Sequence, residues 1–163
     1  MVRRLRLNEA VNLMNNEIYE NLATLGLMCT VAANDLHHIH LCATGDKFQE
    51  IHKDAEDYMN RIRELGDFCL ELAKENNDTN IANENYALEY LTDKGIEWKT
   101  EELLLYYFED AYMAMLRILT QICDFIGIIQ EMPNVSSDVS SELDTYLREF
   151  TKDVNYFISK KLF

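Results

Sequence analysis

The stretch His40-Leu-Cys-Ala-Thr-Gly45-Asp-Lys-Phe48-Gln-Glu-Ile-His52 separates one long helical pattern from the next and sets a histidine on each side of the break. Upstream of it, Val11, Met14, Ile18, Leu22, Leu25, Cys29, Ala32 and Leu36 recur in steps of three and four. That spacing predicts one continuous buried stripe on a helix capped at Asn8 and ended by Gly45. Downstream, Phe48, Ile51, Ala55, Tyr58, Ile62, Leu65, Cys69 and Leu72 predict a second helix over roughly 47–75. The polar run Asn76-Asn-Asp-Thr-Asn80 reads as a loop, and a short helix is expected between Ile81 and Leu91, broken by Lys94-Gly95. A third long helix is expected after an N-cap at Thr100, burying Leu104, Tyr107, Ala111, Met115, Ile118, Ile122, Phe125 and Ile129 and stopped by Pro133. The fourth follows the cap-rich Asn134-Val-Ser-Ser-Asp138 and buries Leu143, Leu147, Phe150, Val154 and Phe157.

Two long helices, a long crossover holding a short helix, then two more long helices predict an all-α, ferritin-like four-helix bundle. The 163 residues suit one domain, 1–163, with a short basic N-terminal arm at 1–7. Five Gly and one Pro leave few points at which helices would break. The four cysteines form no CxxC pair and are scattered along apolar helix faces, which fits buried thiols in a reducing cytoplasm. No run of eighteen or more uncharged apolar residues is present, and Met1-Val-Arg-Arg-Leu-Arg6 leads into no signal-peptide core, so a soluble, cytoplasmic protein without membrane attachment is expected. A net charge of −14 repels nucleic acid at long range and favours cations.

His40, His52, Asp67 and Glu71 form a ligand set suited to non-haem iron. Zinc structural sites usually recruit cysteine, and magnesium and calcium prefer all-oxygen shells. On one helix Asp67 and Glu71 share a face, as do His52 and Glu56. His52 and Asp67 are fifteen residues apart, about 22 Å of helical rise, which no single ion can bridge. Fifteen steps of about 100° nevertheless return the side chain to within roughly 60° of its starting direction. Two copies packed antiparallel about a twofold axis would therefore bring His52 and Glu56 of one against Asp67 and Glu71 of the other, giving two identical shared sites. No Glu-x-x-His occurs, so an intrasubunit di-iron centre lacks its ligands. His37, one turn before His40, reads first as a surface residue and second as a donor within reach of the metal, while His38 faces elsewhere as a structural residue and Cys69 points to the core.

The spacing His40, Gly45, Phe48, His52, followed by Asp67 and Glu71, resembles the signature of the Dps family, the DNA-protecting mini-ferritins. The resemblance implies that both histidines come from one subunit and the Asp and Glu from its twofold mate, with Glu56 contributing where many members have Asp. It further implies a hollow homo-dodecamer that oxidises Fe(II), preferably with hydrogen peroxide, at a two-iron site and stores ferric mineral, protecting the cell from oxidative damage. Asp138 and Glu142 match acidic residues that line the family's threefold pores for Fe(II); as plain chemistry they are carboxylates favoured near a helix N-terminus. Two departures stand out. Leu41 replaces the usual Trp, which leaves a reading as a ferritin-like shell with little activity. The lysine-rich tail is reduced to Arg3, Arg4 and Arg6 before the first helix and Lys160-Lys161 at the end, which makes DNA binding weak and leaves a nucleoid protein with a secondary metal site as the alternative function.

Overall fold

The computed structural model describes residues 7–76 and 83–163, with side chains described from Glu17 onward. It is all-α. Helix α1 spans Leu7–Cys42 and α2 Phe48–Asn76; a 3-10 turn, Glu84–Tyr86, leads into α3, Ala87–Asp93; α4 spans Phe108–Gln130 and α5 Ser137–Lys152. Beyond α5 the chain stays helical through a π-helical stretch, Asp153–Ile158, and α6, Ser159–Leu162. The basic arm with Arg3, Arg4 and Arg6 lies outside the described residues, as do 77–82 and the side chains of Val11 and Met14.

The apolar stripes decide which faces meet. Ile18, Leu22, Leu25, Cys29, Ala32 and Leu36 of α1 are all buried, as are Ile51, Ala55, Tyr58, Ile62, Leu65 and Cys69 of α2. Burying each large aliphatic side chain stabilises by about 1.5–3 kcal/mol, well above any difference in helix propensity. The two helices are antiparallel: His40 meets His52 near the turn, and Gly26 meets Gly66 and Leu70 further along. A Cβ on Gly26 would fall 2.5 Å from Leu70 Cγ, and one on Gly66 would fall 2.9 Å from Cys29 Cβ, so both positions permit a close helix approach. Helix α4 packs on α1, α2 and α5. By length and composition α4 is apolar enough to cross a membrane, yet Ala111, Tyr112, Met115, Ile118, Leu119, Ile122, Ile126 and Ile129 are buried in this core.

Three sequence expectations need correction. The third long helix begins at Phe108, not after Thr100, and Leu104 (80% exposed) and Tyr107 (52%) lie outside the core. The apolar spacing there is real, but residues 96–107 are held in an irregular path by long-range hydrogen bonds to α1. Tyr106 N–H donates to the Cys42 carbonyl and Thr44 N–H to the Tyr106 carbonyl, both at 2.8 Å, an isolated parallel bridge that a helix starting at Thr100 would forbid. Phe48 opens α2 on its outer side, 48% exposed, because Gly45 turns the chain at φ +91° and only the following residues reach the core. Phe157, in the π-helical stretch, is 44% exposed; the wider turn shifts the register, and Ile158 is buried instead.

Candidate metal centre

His40 lies in the last turn of α1 and His52 in the second turn of α2, so the turn at Gly45 folds one onto the other. Their rings stack with centroids 3.6 Å apart and planes inclined by 25°. His40 Nδ1 is 2.8 Å from the carbonyl oxygen of His52, and His52 Nδ1 is 2.9 Å from the carbonyl oxygen of His40. A carbonyl oxygen only accepts, so each Nδ1 carries a proton and donates it. In the neutral ring Nε2 then holds a free lone pair, the tautomer a metal ligand requires, fixed by the bond at the opposite nitrogen. His52 is exposed and His40 half-buried, so the pair is open to solvent on one side.

The carboxylates lie further along α2. Glu56, Asp67 and Glu71 are all exposed. Asp67 borders a cleft of about 140 Å³ between α1 and α2, whose wall includes Asn34, Arg63, Gly66 and Glu84. Among the described residues no three His, Cys, Asp or Glu side chains gather closely enough to hold one metal ion. A single chain thus joins His40 to His52 and leaves Glu56, Asp67 and Glu71 outside that pair. His37 is exposed on α1, its ring centroid 5.9 Å from that of His40 and tilted away from the stack. Cys69 is buried in the core as expected, and all four cysteines are free thiols. Asp138 stands in the first turn of α5, where Ser136 rather than Asp138 caps the helix by accepting from Val139 N–H, and both Asp138 and Glu142 face solvent.

Two supporting networks escaped the sequence reading. The first ties the crossover to α1. His38 Nε2 lies 2.7 Å from the Leu103 carbonyl and donates to it, and the His38 ring stands edge-on to Tyr106 at 5.8 Å. One turn before His38, the buried Asp35 accepts from Trp98 Nε1 at 2.7 Å and from Glu101 N–H at 3.3 Å. Burial pushes the Asp35 carboxyl above its usual range, partly offset by the Trp98 bond and the Arg117 charge. The second network anchors the C-terminal helix to α2. Lys161 Nζ donates to Glu50 at 2.5 Å, to Asp54 at 2.7 Å and to the Tyr112 hydroxyl at 3.1 Å. Burial alone would lower the Lys161 pKa, but the bonds to Asp54 and Glu50 override it and hold the ammonium above its ordinary range. Partners of these bonds lie 49 to 111 residues apart in sequence, beyond the reach of any local pattern.

No family model, curated protein or solved structure matches the chain.

Proposed function

We propose that the chain is an iron-oxidising, iron-storing mini-ferritin of the Dps kind, acting in the cytoplasm. The observation that carries this reading is the reciprocal His40–His52 bonding, which stacks two imidazoles side by side and commits each Nδ1–H to a carbonyl, leaving Nε2 as the ligating nitrogen of each ring. Such a pair needs carboxylates to complete an iron site, and this chain displays them on α2 about 22 Å away, on nearly the same side of the helix. Packing α2 against its twofold copy supplies the missing oxygens: His40 and His52 of one copy hold Fe(II), Asp67 and Glu71 of the other neutralise it, and Glu56 helps bridge a second ion. The order of long helices around a crossover with a short helix supports the ferritin-like bundle, and the acidic surface supports concentration of Fe(II), with Asp138 and Glu142 at a pore of a dodecameric shell.

In this reading hydrogen peroxide accepts two electrons from two ferrous ions and becomes water, and the ferric product hydrolyses and nucleates inside the shell. Carboxylates beside the ions favour the higher ferric charge. Leu103, Leu104 and Leu105 of the crossover, and Leu41 beside His40 in sequence, are exposed apolar side chains that suit burial against a second copy. The deciding experiment is anaerobic Fe(II) titration of the purified protein followed by hydrogen peroxide, read by ferric absorbance. Saturable binding and rapid oxidation, both lost in His52→Ala, are expected; binding no greater than in His52→Ala overturns the reading.

A further inference from the structure

Residues 96–107 reach α4 as a strap that turns its leucines outward and ties itself down with polar bonds. Leu103, Leu104 and Leu105 are 48%, 80% and 55% exposed. On the inner side Trp98 Nε1–H and Glu101 N–H donate to Asp35, the Tyr106 hydroxyl donates to Glu101, and His38 Nε2–H donates to the Leu103 carbonyl. The Gln121 side-chain amide of α4 holds the Glu97 carbonyl at 2.8 Å. Independently of the iron reading, we propose that this strap is a proton-coupled latch: it closes over Asp35 with uptake of one proton, so that mild acid fixes the three leucines in place and rising pH loosens them.

Two carboxylates lie beneath the strap, and one guanidinium sits between them. Glu101 takes it: Arg117 forms an ion pair with Oε1, while the Tyr106 hydroxyl donates to Oε2 at 2.6 Å. Asp35 is 5% exposed, and among the described residues the donors directly on it are neutral, Trp98 Nε1–H on Oδ2 at 2.7 Å and Glu101 N–H on Oδ1 at 3.3 Å. A buried carboxylate without a cation of its own is costly as an anion, and a proton relieves that cost. Oδ1, with the longer bond, is the oxygen free to take the proton, and Oδ2 keeps Trp98. The other charged and titratable groups around Asp35 are His38 on α1, Glu101 and Tyr106 in the strap, and Arg117 on α4. Burial outweighs the Trp98 bond and the charges of Arg117 and His38, so the Asp35 carboxyl stands above its usual range. Burial also pushes the Tyr106 phenol above its ordinary value, so it keeps its proton throughout.

The direction of the coupling follows from what covers Asp35. Both of its direct donors belong to the strap, so lifting the strap returns the carboxylate to water and to its ordinary value of 3.8. The closed form therefore binds the proton more tightly than the open one. Closure strengthens as pH falls through the elevated value toward 3.8, and that gain is lost as pH rises through the elevated value. Glu101 works in the opposite sense, because its pair with Arg117 needs the charge; a strap governed by Glu101 would loosen in acid. Release of the strap reaches further than its own residues. The Leu103 carbonyl holds His38, and the Tyr106 main chain bonds Cys42 and Thr44 at the end of α1, so an opened strap gives up both the fixed apolar surface and the brace on the α1–α2 turn.

Trp98 is the only tryptophan in the chain and reports on the latch directly. The test follows acrylamide quenching of its fluorescence across the acid-to-neutral range, with hydrogen exchange of residues 96–107 in parallel, each exchange rate divided by its intrinsic value at that pH. Between about pH 5 and about pH 8 the wild type is expected to become at least about twofold more quenchable, with strap amides exchanging faster to match. Asp35→Asn keeps an oxygen for the Trp98 bond but cannot ionise, so its strap stays protected and its curve is flat. His38→Gln removes the other titratable ring against the strap and keeps the wild-type pH dependence. A flat wild-type curve overturns the inference without recourse to any variant. So does a wild-type curve that loosens in acid, which would assign the dependence to the Glu101–Arg117 pair. An unchanged curve in Asp35→Asn, or a curve abolished in His38→Gln, moves the proton off Asp35 and overturns it as well.

Discussion

His40 and His52 each donate Nδ1–H to the other's main-chain carbonyl, so one pair of side chains both closes the α1–α2 turn and fixes two ligand tautomers. The two roles use different nitrogens, and a substitution can separate them. Asparagine places an amide N–H near the position of Nδ1 but has nothing at Nε2. His52→Asn is therefore expected to melt within about 1 kcal/mol of the wild type while losing saturable Fe(II) binding. His52→Ala loses both the bond and the ligand. Thermal melts alongside ferrous titration check the split; equal loss of binding and stability in His52→Asn would merge the two roles.

A shared site predicts complementation between dead variants. In a mixed dimer of His52→Ala with Asp67→Ala, one site inherits both lesions and the other inherits neither. Random re-association of equal amounts should recover about a quarter of wild-type peroxide-dependent iron oxidation, since half of the dimers are mixed and each carries one intact site. Each variant alone is inactive. No recovery after unfolding and refolding the mixture, while wild type treated alike regains activity, would overturn a site shared between subunits in this way.

Leu104 is 80% exposed, between two other exposed leucines. An aspartate there costs the folded chain little, within about 0.5 kcal/mol, because nothing in the chain packs on it. At an interface the same charge would be buried without a partner, at several kcal/mol. Leu104→Asp should thus keep its helical signal and shift to smaller species in analytical ultracentrifugation. Unchanged assembly would put these leucines outside the contact between copies.

Gly66 tests the close packing of α1 on α2. Alanine gains about 1 kcal/mol of intrinsic helix propensity, but its Cβ would sit 2.9 Å from Cys29 Cβ, on a rigid stem that cannot swing away. Overpacking of this sort costs about 1–3 kcal/mol, so Gly66→Ala is expected to be net destabilising in denaturant melts. Gly127→Ala, where no atom lies within 4 Å of the new Cβ, is the control and should be neutral or stabilising.

Lys161 supplies a pH prediction. Its folded-state pKa is raised above the ordinary 10.5, so the ammonium binds its proton more tightly in the folded chain than in the unfolded one. Its contribution is complete below 10.5 and fades as pH rises through the elevated folded value. Lys161→Met should cost roughly 1 kcal/mol at neutral pH, where it leaves Glu50 and Asp54 without their ammonium. The gap between variant and wild-type melting temperatures should narrow as pH climbs through that alkaline window. A gap independent of pH would mean that the stem of Lys161, not its charge, holds the C-terminal helix.

The helices that the sequence made legible are those whose apolar residues recur at helical spacing and are buried in fact. Ile18 through Leu36 and Ile51 through Cys69 needed no knowledge of the tertiary structure. Leu104 and Tyr107 carried the same local signal and misled it, because the path of the crossover is set by Asp35, His38 and the Cys42–Thr44 backbone, partners more than sixty residues away. The histidine pair was legible because the chain turns back on itself within twelve residues. The carboxylates proposed to join it, Asp67 and Glu71, could be placed on a face of α2 by arithmetic, and one chain goes no further than that. Tyr106, Glu101 and Lys161 carry no motif at all; a tyrosine in a run of apolar residues reads as core until its hydroxyl is seen to have a carboxylate beside it.

Helix α2 is also a ruler. It runs from Phe48 to Asn76 without a break, so the fifteen residue steps from His52 to Asp67 fix a span of about 22 Å that no side-chain rearrangement can shorten. In the proposed twofold dimer the same span would separate the two iron sites from each other. Ferrous ions at one site could then not share a peroxide with those at the other, and each site would have to fill with its own two ions. Removing one residue from this span would swing the carboxylates about 100° off the shared face, whereas removing seven would return them close to it with the sites about 10 Å nearer. The spacing of chemistry in the assembly is therefore written as a length of uninterrupted backbone.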